Sequence, residues 1–240
     1  MFYSRYALYE LKKWARDSLL GFFIAYPLIL GLAVRWLIPV IEDKTGASIA
    51  PYYFLIEAAL LLLTPLIVGA VAGFSILEDR DDNILLTIKV APMSLEFFIG
   101  LKLFLVFALS VLGSAFAIWV AQLASIPAGT IWAVSVVSAL SAPLTALLIN
   151  AVASNKIEGF AMVKGTGVLI IFPIVGLLFF DAKEFLFSFV PGFWPAKALA
   201  VTILPQHAFQ LGYAAYLLIG LAYALLINLL VYRLFRAKVS

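Results

Sequence analysis

Residues 77–102, LEDRDDNILLTIKVAPMSLEFFIGLK, form a charged segment between two long apolar stretches. The charges mark the point at which the chain leaves one apolar stretch and enters the next. Of the 240 residues, 65% are hydrophobic and 12% are charged. So little polar surface cannot cover a soluble domain of this length. The composition therefore predicts an integral membrane protein.

Apolar runs long enough for an α-helix to cross a bilayer recur along the chain with short polar breaks. They predict a single all-α membrane domain over residues 1–240 with six spans, at about 19–41, 51–77, 95–123, 130–152, 160–180 and 209–235. Residues 1–17 combine a basic face with an aromatic-rich apolar face at helical spacing, which predicts a helix in the membrane interface. An ordinary exposed helix is the alternative for this segment.

The basic residues are distributed unequally between the two ends of the predicted spans. Most lie at one end, and only Arg35, Lys44, Lys183 and Lys197 fall at the other. Because cytoplasmic loops carry an excess of Lys and Arg, the pattern predicts a multi-pass protein of the cell membrane with both termini in the cytoplasm. Two cytoplasmic loops follow, at 77–95 and 154–159, and the polar residues of the second are Asn155, Lys156 and Glu158.

Residues 181–207, before the last span, are mostly apolar and aromatic but are interrupted by Pro191, Pro195 and Pro205. The pieces between these prolines are too short to cross a membrane. We expect two short re-entrant helices that cap an outward exit. The alternative is an interfacial anchor with Phe193 and Trp194 at the level of the headgroups.

The charged segment itself predicts a short helix outside the membrane. Asp81 and Asp82 are suited to cap a helix whose first turn begins at Asn83, and Pro92 ends it. Ser94 is then the cap of the third span. Three apolar residues share one face of the short helix: Ile84, Leu85 and Ile88. Neither lipid nor a domain of this chain is available to cover that face, so it predicts a groove on a partner protein.

Three pieces of this segment resemble the loop between the second and third spans of ABC-2 type transporter permeases: Glu78-Asp79-Arg80-Asp81-Asp82-Asn83-Ile84-Leu85-Leu86, Ala91-Pro92-Met93-Ser94 and Gly100-Leu101-Lys102. The sequence departs from that family at Asn83, where glycine is usual; asparagine tolerates left-handed geometry better than most residues. The N-terminal elbow helix, the six spans, the second cytoplasmic loop and the broken outer segment are also similar, so the resemblance covers essentially the whole chain.

The resemblance implies the transmembrane subunit of an ABC exporter, similar to drug and antibiotic exporters, that forms a homodimer or a heterodimer with a second permease. A separate ABC ATPase would drive it by contacting the coupling helix through Glu78, Arg80, Asp81, Asp82, Ile84, Leu85, Ile88, Lys89 and Pro92. The sequence has no G-x-x-x-x-G-K-[ST] phosphate loop. ATP and Mg²⁺ are therefore expected on the ATPase, and no cofactor is expected in this chain.

Ionisable residues inside spans are costly in lipid and often functional. Arg35 and Glu57 fall at matching depths in the first two spans, so we expect them to pair, with a place along the substrate path as the alternative. Lys102 and Lys164 lie near span ends, where their side chains can extend to the interface. Candidate cavity-lining residues, with simple packing as the alternative, are Phe172, Phe179 and Phe180.

Few charges inside the spans suit an amphiphilic drug, a lipid-like molecule or a small peptide as the transported substrate. A secondary transporter or channel is the alternative, although it would need ion-coupling groups or an internal repeat. His207 is the only histidine and the acids are dispersed, so neither a catalytic nor a metal site is predicted. The basic residues follow the span ends and do not form a nucleic-acid patch.

Overall fold

The computed structural model describes residues 12, 16, 18–82, 84 and 94–239. Within this part of the chain all regular secondary structure is helical. The α-helices are α1 (Ser18–Thr45), α2 (Tyr53–Asp81), α3 (Leu95–Ala121), α4 (Ala128–Ala139), α5 (Ser141–Val152), α6 (Lys156–Gly165), α7 (Val168–Leu177), α8 (Phe193–Ile203) and α9 (Tyr213–Val239). Two short 3₁₀ helices occupy Ala50–Tyr52 and Ala182–Phe187. Apart from residues 12 and 16, the predicted interfacial helix at 1–17 lies outside the described residues, and so does most of the predicted coupling helix.

Six helical segments of the described chain are long and apolar enough to cross a membrane: Ala25–Thr45, Ala50–Asp81, Leu95–Ala121, Ala128–Val152, Lys156–Leu177 and Tyr213–Ala237. The prediction of an all-α fold with six spans is therefore confirmed. The bounds differ by a few residues, most importantly because the second span continues to Asp81 instead of ending at Leu77. The fourth and fifth spans each consist of two helices, α4 with α5 and α6 with α7.

The second span forms the centre of the bundle. In an 18-residue apolar stretch of this span, 72% of the residues are buried inside the protein. The corresponding shares are 11% for the first span and 22% for the last. A helix that is apolar on every side is typical of such a central position. Helix α2 packs most extensively against α5 and α3, and it also contacts α1, α7 and α8. Any displacement of α2 therefore affects most of the fold.

The close approach of α2 to α5 depends on two glycines one helical turn apart. A Cβ atom at Gly69 would lie 2.4 Å from the carbonyl oxygen of Ala142, and one at Gly73 would lie 2.8 Å from Cδ1 of Ile149. The side-chain amide of Asn150 donates a hydrogen bond to the carbonyl oxygen of Gly73 at 3.0 Å. The small-residue spacing thus serves helix contact, as such spacings do in membrane proteins.

The segment before α9 folds into the bundle. Its 3₁₀ helix and α8 are both short, and residues 190–200 are buried throughout. Phe193 and Trp194 belong to a core cluster with Leu61 and Tyr216, and the Trp194 indole N–H donates to the carbonyl oxygen of Ser188 at 3.0 Å. These two aromatic side chains therefore pack inside the protein and are not available as anchors at a membrane surface.

Candidate functional site

The predicted ATPase-contact residues that the structure describes lie at the end of the bundle where α2 ends, α3 begins, α5 ends and α6 begins; we call it the charged end. Helix α2 includes Glu78, Arg80 and Asp81, so these residues form its last turn and do not belong to a separate coupling helix. Asp82 follows as the C-terminal cap of α2, where an N-terminal cap of the next helix was expected; its backbone N–H donates to the carbonyl oxygen of Glu78. The helix continues past the apolar stretch because its polar side chains find partners on neighbouring helices.

Three consecutive residues of this last turn contact three different helices. Successive side chains of an α-helix point about 100° apart, so Glu78, Asp79 and Arg80 face different neighbours. A carboxylate oxygen of Glu78 accepts a hydrogen bond from Lys156 of α6 at 2.8 Å. Asp79 forms an ion pair with Lys102 of α3, and Arg80 reaches the end of α5. The end of α2 is thus joined to α3, α5 and α6.

The Asp79–Lys102 ion pair is almost completely buried. The side chain of Lys102 is 0% exposed and that of Asp79 is 2% exposed. The Lys102 ammonium also donates to the Ser75 hydroxyl at 3.0 Å and lies 4.9 Å from the centre of the Phe98 ring. The expectation that Lys102 extends to the membrane interface is wrong. A weak signal was present in the sequence, because Ser75 and Asp79 are four residues apart and share a helix face.

Arg80 stabilises the C-terminal end of α5. Its guanidinium donates hydrogen bonds to the carbonyl oxygens of Ala153 at 3.3 Å and Asn150 at 3.4 Å. The last carbonyl groups of a helix have no partners within the helix and carry a partial negative charge, so a cation there is favourable. Arg80 is half-buried by this contact and faces the interior of the chain.

The predicted second loop is the beginning of a helix. Asn155 caps α6 by accepting a hydrogen bond from the backbone N–H of Glu158 at 3.0 Å, and Glu158 in turn accepts one from the backbone N–H of Ser154 at 2.7 Å. Lys156 lies in the first turn of α6. The first bond satisfies an N–H group that the first helical turn leaves free, and the second fixes the residue just before the cap. It holds Lys156 where it can reach Glu78.

Ile84 is the one residue of the predicted apolar ridge that the structure describes. It is half-buried against a core cluster that contains Ile76, Phe98 and Val231. Part of its surface is therefore covered by this chain and not by another protein. Leu85, Ile88, Lys89 and Pro92 lie outside the described residues.

At the opposite end of the bundle, Arg35 and Glu57 both bond to the end of α3 and not to each other. The Arg35 guanidinium donates to the carbonyl oxygen of Val120 at 3.1 Å, and a Glu57 oxygen accepts from the backbone N–H of Leu123 at 3.2 Å. Among the described residues no ion pair joins the two, so the expected pair is corrected. Matching depth in two spans does not determine the direction in which each side chain points.

The three phenylalanines predicted as cavity-lining residues all contact the segment before α9. Phe172 packs edge-to-face on Phe189 with ring centres 5.2 Å apart, and Phe179 stacks on Phe187 at 5.5 Å. Phe180 stacks on the ring of His207 at 4.8 Å. These contacts favour the packing alternative.

A second buried ion pair was missed by the sequence analysis. Lys197 of α8 bonds to Glu184 at 2.7 Å, both side chains are 0% exposed, and the hydroxyl of Tyr216 donates to the other oxygen of Glu184. Lys197 also donates to the carbonyl oxygen of Phe179. The distribution of basic residues predicts Lys197 at the outer end of the spans and does not predict that it is buried. Nothing in the spacing of these residues indicated that α8 folds inward and α9 supplies the third partner.

A buried central span whose charged last turn is bonded to three neighbouring helices defines a multi-pass helical membrane protein. The family model described as "Fluoroquinolones export permease protein Rv2686c-like" matches residues 10–232. Two proteins of Mycobacterium tuberculosis, the fluoroquinolones export permease proteins MT2760 of strain CDC 1551 / Oshkosh and Rv2686c of strain ATCC 25618 / H37Rv, are each 34% identical to this chain. Each alignment covers 93% of this chain and 89% of the relative.

The chain therefore belongs to the Rv2686c-like family of fluoroquinolone export permeases. Like its relatives, it is a transport permease and not an enzyme. This membership agrees with the resemblance of the charged segment to ABC-2 type permeases.

Proposed function

We propose that this chain is the transmembrane subunit of an ABC exporter that moves an amphiphilic drug of the fluoroquinolone kind out of the cell. Membership of a family named for fluoroquinolone export carries this proposal. A separate ABC ATPase supplies the energy, with ATP and Mg²⁺ bound on that chain. Both termini and the charged end face the cytoplasm, in agreement with the excess of basic residues there.

The contacts of the last turn of α2 support a role for the charged end in coupling. Asp81 and Asp82 are exposed, and they lead into the segment that carries Leu85 and Ile88. The proposed direct contacts with the ATPase are Asp81, Asp82, Leu85 and Ile88. Glu78 and Arg80 are bonded to α6 and α5, so they pass a displacement of that segment into the bundle. The coupling site thus has an outer, ATPase-facing part and an inner part that distributes the movement.

A second permease chain and membrane lipid are the proposed partners for the apolar outside of the bundle. Large apolar side chains project from the weakly buried spans: Trp36 of α1 is 72% exposed and Ile171 of α7 is 60% exposed. Such exposure is costly in water and unremarkable in lipid or at a subunit interface. A dimer, of two copies or of two similar permeases, is the assembly we propose.

A secondary transporter or channel without an ATPase is the alternative. The observation that favours it is Glu57, whose second carboxylate oxygen is buried and has no hydrogen-bond partner among the described residues. Buried intramembrane carboxylates often belong to proton relays. If a proton gradient alone drives fluoroquinolone efflux in vesicles that lack the ATPase, this alternative is correct.

We expect Leu85→Asp to weaken assembly with the ATPase by about thirtyfold, because a charge in an apolar contact costs about 2 kcal/mol or more at an interface. Wild-type chain co-expressed with an ABC ATPase encoded beside it should co-purify with it, hydrolyse ATP and lower cellular accumulation of a fluoroquinolone. Leu85→Met keeps an apolar side chain and serves as the matched control.

Glu78→Ala should have a smaller effect, because the ion pair with Lys156 that it removes is partly exposed. Assembly and ATP turnover that stay at the wild-type level in both Leu85→Asp and Glu78→Ala would contradict the coupling role of this segment. A wild-type chain that neither binds an ATPase nor exports the drug would contradict the proposed function itself.

A further inference from the structure

The segment proposed to contact the ATPase is held at its base by the buried Asp79–Lys102 ion pair. Asp79 lies in the last turn of α2, just before the chain leaves the bundle. Lys102 lies in α3, about two helical turns after the N-terminal cap at Ser94. The pair therefore joins α2, which precedes residues 83–93 in the chain, to α3, which follows them.

Stability alone does not explain why charged residues occupy these positions. Removing two charges from water costs free energy that their attraction and hydrogen bonds must recover, and apolar replacements of similar size are often at least as stable. Apolar side chains also pack at this end of α2 and α3, where Ile76, Phe98 and Ile99 belong to one buried cluster. A pair of leucines would suit such surroundings.

A buried ion pair does provide one property that apolar contacts lack, which is a unique register between two helices. Lys102 bonds to both Asp79 and Ser75, residues one turn apart on the same face of α2. If α3 slid along α2 by one turn, Asp79 or Lys102 would lose its partner while it remained buried. Apolar side chains would tolerate that movement at a much lower cost.

We propose that Asp79 and Lys102 are positioning residues that lock the register of α2 and α3, so that displacement of residues 83–93 by the ATPase moves both helices as one unit. This inference rests on the proposed function. Without the lock, residues 83–93 could be displaced while α3 slips along α2, and ATP would be hydrolysed with less substrate moved. Because α2 also contacts α5 and α6 through Arg80 and Glu78, the movement of this unit extends to the fourth and fifth spans.

The decisive quantity is the amount of fluoroquinolone transported per ATP hydrolysed, measured in proteoliposomes that contain the permease with its ATPase. The apolar double variant Asp79→Leu/Lys102→Met removes both charges of this pair together. We expect it to assemble and to hydrolyse ATP, but to transport about fivefold less drug per ATP, the lower end of coupling between distant sites. Asp79→Lys/Lys102→Asp restores a pair and should recover part of this ratio.

Glu96→Gln/Arg236→Met is the matched control, because it removes an ion pair near the same helix end that is exposed on both sides. Its ratio of transport to ATP hydrolysis should equal that of the wild type. A purely structural role of the Asp79–Lys102 pair would change the yield of folded complex and leave the ratio unchanged. A wild-type ratio in the apolar double variant would therefore overturn the proposal.

A measurement on the intact ion pair covers the case in which the double variants do not assemble. The chain has no cysteine, so spin labels can be attached at Tyr52→Cys, the N-terminal cap of α2, and at Trp119→Cys in α3, two exposed positions far from the proposed ATPase contacts. We expect the distance between the labels to be the same in nucleotide-free and ATP-bound complexes. A change of about one helical turn, 5.4 Å, would overturn the proposal. A wild-type chain without ATPase binding would overturn both this inference and the proposed function.

Discussion

Lys197→Met is expected to lower the free energy of unfolding by about 3–5 kcal/mol, the usual cost of removing one partner of a buried ion pair. The substitution leaves the Glu184 carboxylate 0% exposed, with the Tyr216 hydroxyl as its remaining side-chain partner in the structure. It also removes the donor to the carbonyl oxygen of Phe179. Since these groups join the 3₁₀ helix, α8 and α9, the whole end of the bundle before the last span should loosen.

The measurement is thermal unfolding of the purified chain in detergent micelles, followed by tryptophan fluorescence. A loss of this size corresponds to a decrease in the unfolding midpoint of about 6–20 °C for a chain of this length. Trp194 is one of five tryptophans that contribute to the emission, and it packs near Tyr216 in the affected cluster. Its emission should shift to longer wavelength as the cluster opens.

Lys183→Met is the matched control in the same segment. Lys183 pairs with Asp181 at 3.4 Å, but the two side chains are 69% and 58% exposed. Exposed ion pairs contribute about 0–1 kcal/mol, so this variant should unfold close to the wild-type midpoint. Equal midpoints for Lys183→Met and Lys197→Met would show that burial of the second pair has no energetic consequence.

Gly69→Ala is the second substitution with a large expected effect. A Cβ atom at this position would lie 2.4 Å from the carbonyl oxygen of Ala142 and 2.9 Å from Cβ of Thr145. The first of these neighbours is backbone, so no side chain can rotate away, and α2 and α5 must separate. Overpacking of this kind costs about 1–3 kcal/mol. The same separation would weaken the hydrogen bond from Asn150 to Gly73 one turn further on.

Gly73→Ala and Gly100→Ala complete a graded series. The nearest neighbour of a Cβ at Gly73 is the end of the Ile149 side chain at 2.8 Å, which can move, so the loss should be smaller. No heavy atom lies within 4 Å of a Cβ at Gly100, and alanine is the better helix former by about 1 kcal/mol. Unfolding midpoints should therefore rise in the order Gly69→Ala, Gly73→Ala, Gly100→Ala. A midpoint for Gly69→Ala at or above that of Gly100→Ala would contradict the α2–α5 contact.

Several local features of the fold could be predicted because their causes lie within a few residues. Ser94 was expected to cap the third span, and its hydroxyl accepts a hydrogen bond from the backbone N–H of Phe97 at 3.2 Å. The four-residue spacing of Gly69 and Gly73 is typical of a close helix contact, and the structure shows that the partner is α5. Each of these signals depends on residue type and spacing along one helix, and both are visible in a single sequence.

The residues of the candidate site were found by the same reasoning, but their partners were not. The resemblance to ABC-2 type permeases implies that Glu78 and Arg80 contact an ATPase, and in the structure both are bonded to helices of this chain. Asp79 was not singled out at all, although it forms the ion pair at the base of the segment. A charged residue next to a span is usually solvated, and only a neighbouring helix with a complementary group makes its burial favourable.

By itself the sequence determined that this chain is an all-α membrane protein with six spans. The length of each apolar run shows which residues can lie within the hydrocarbon core of a membrane. The sequence did not determine how each helix is rotated or which faces meet. The bonded residues are far apart in the sequence: Lys102 and Asp79 are separated by 23 positions, Tyr216 and Glu184 by 32, and Arg35 and Val120 by 85. These contacts depend on helix rotation and on the inward fold of α8, which arise from packing among all spans, and so only the tertiary structure decided which charges are buried and paired.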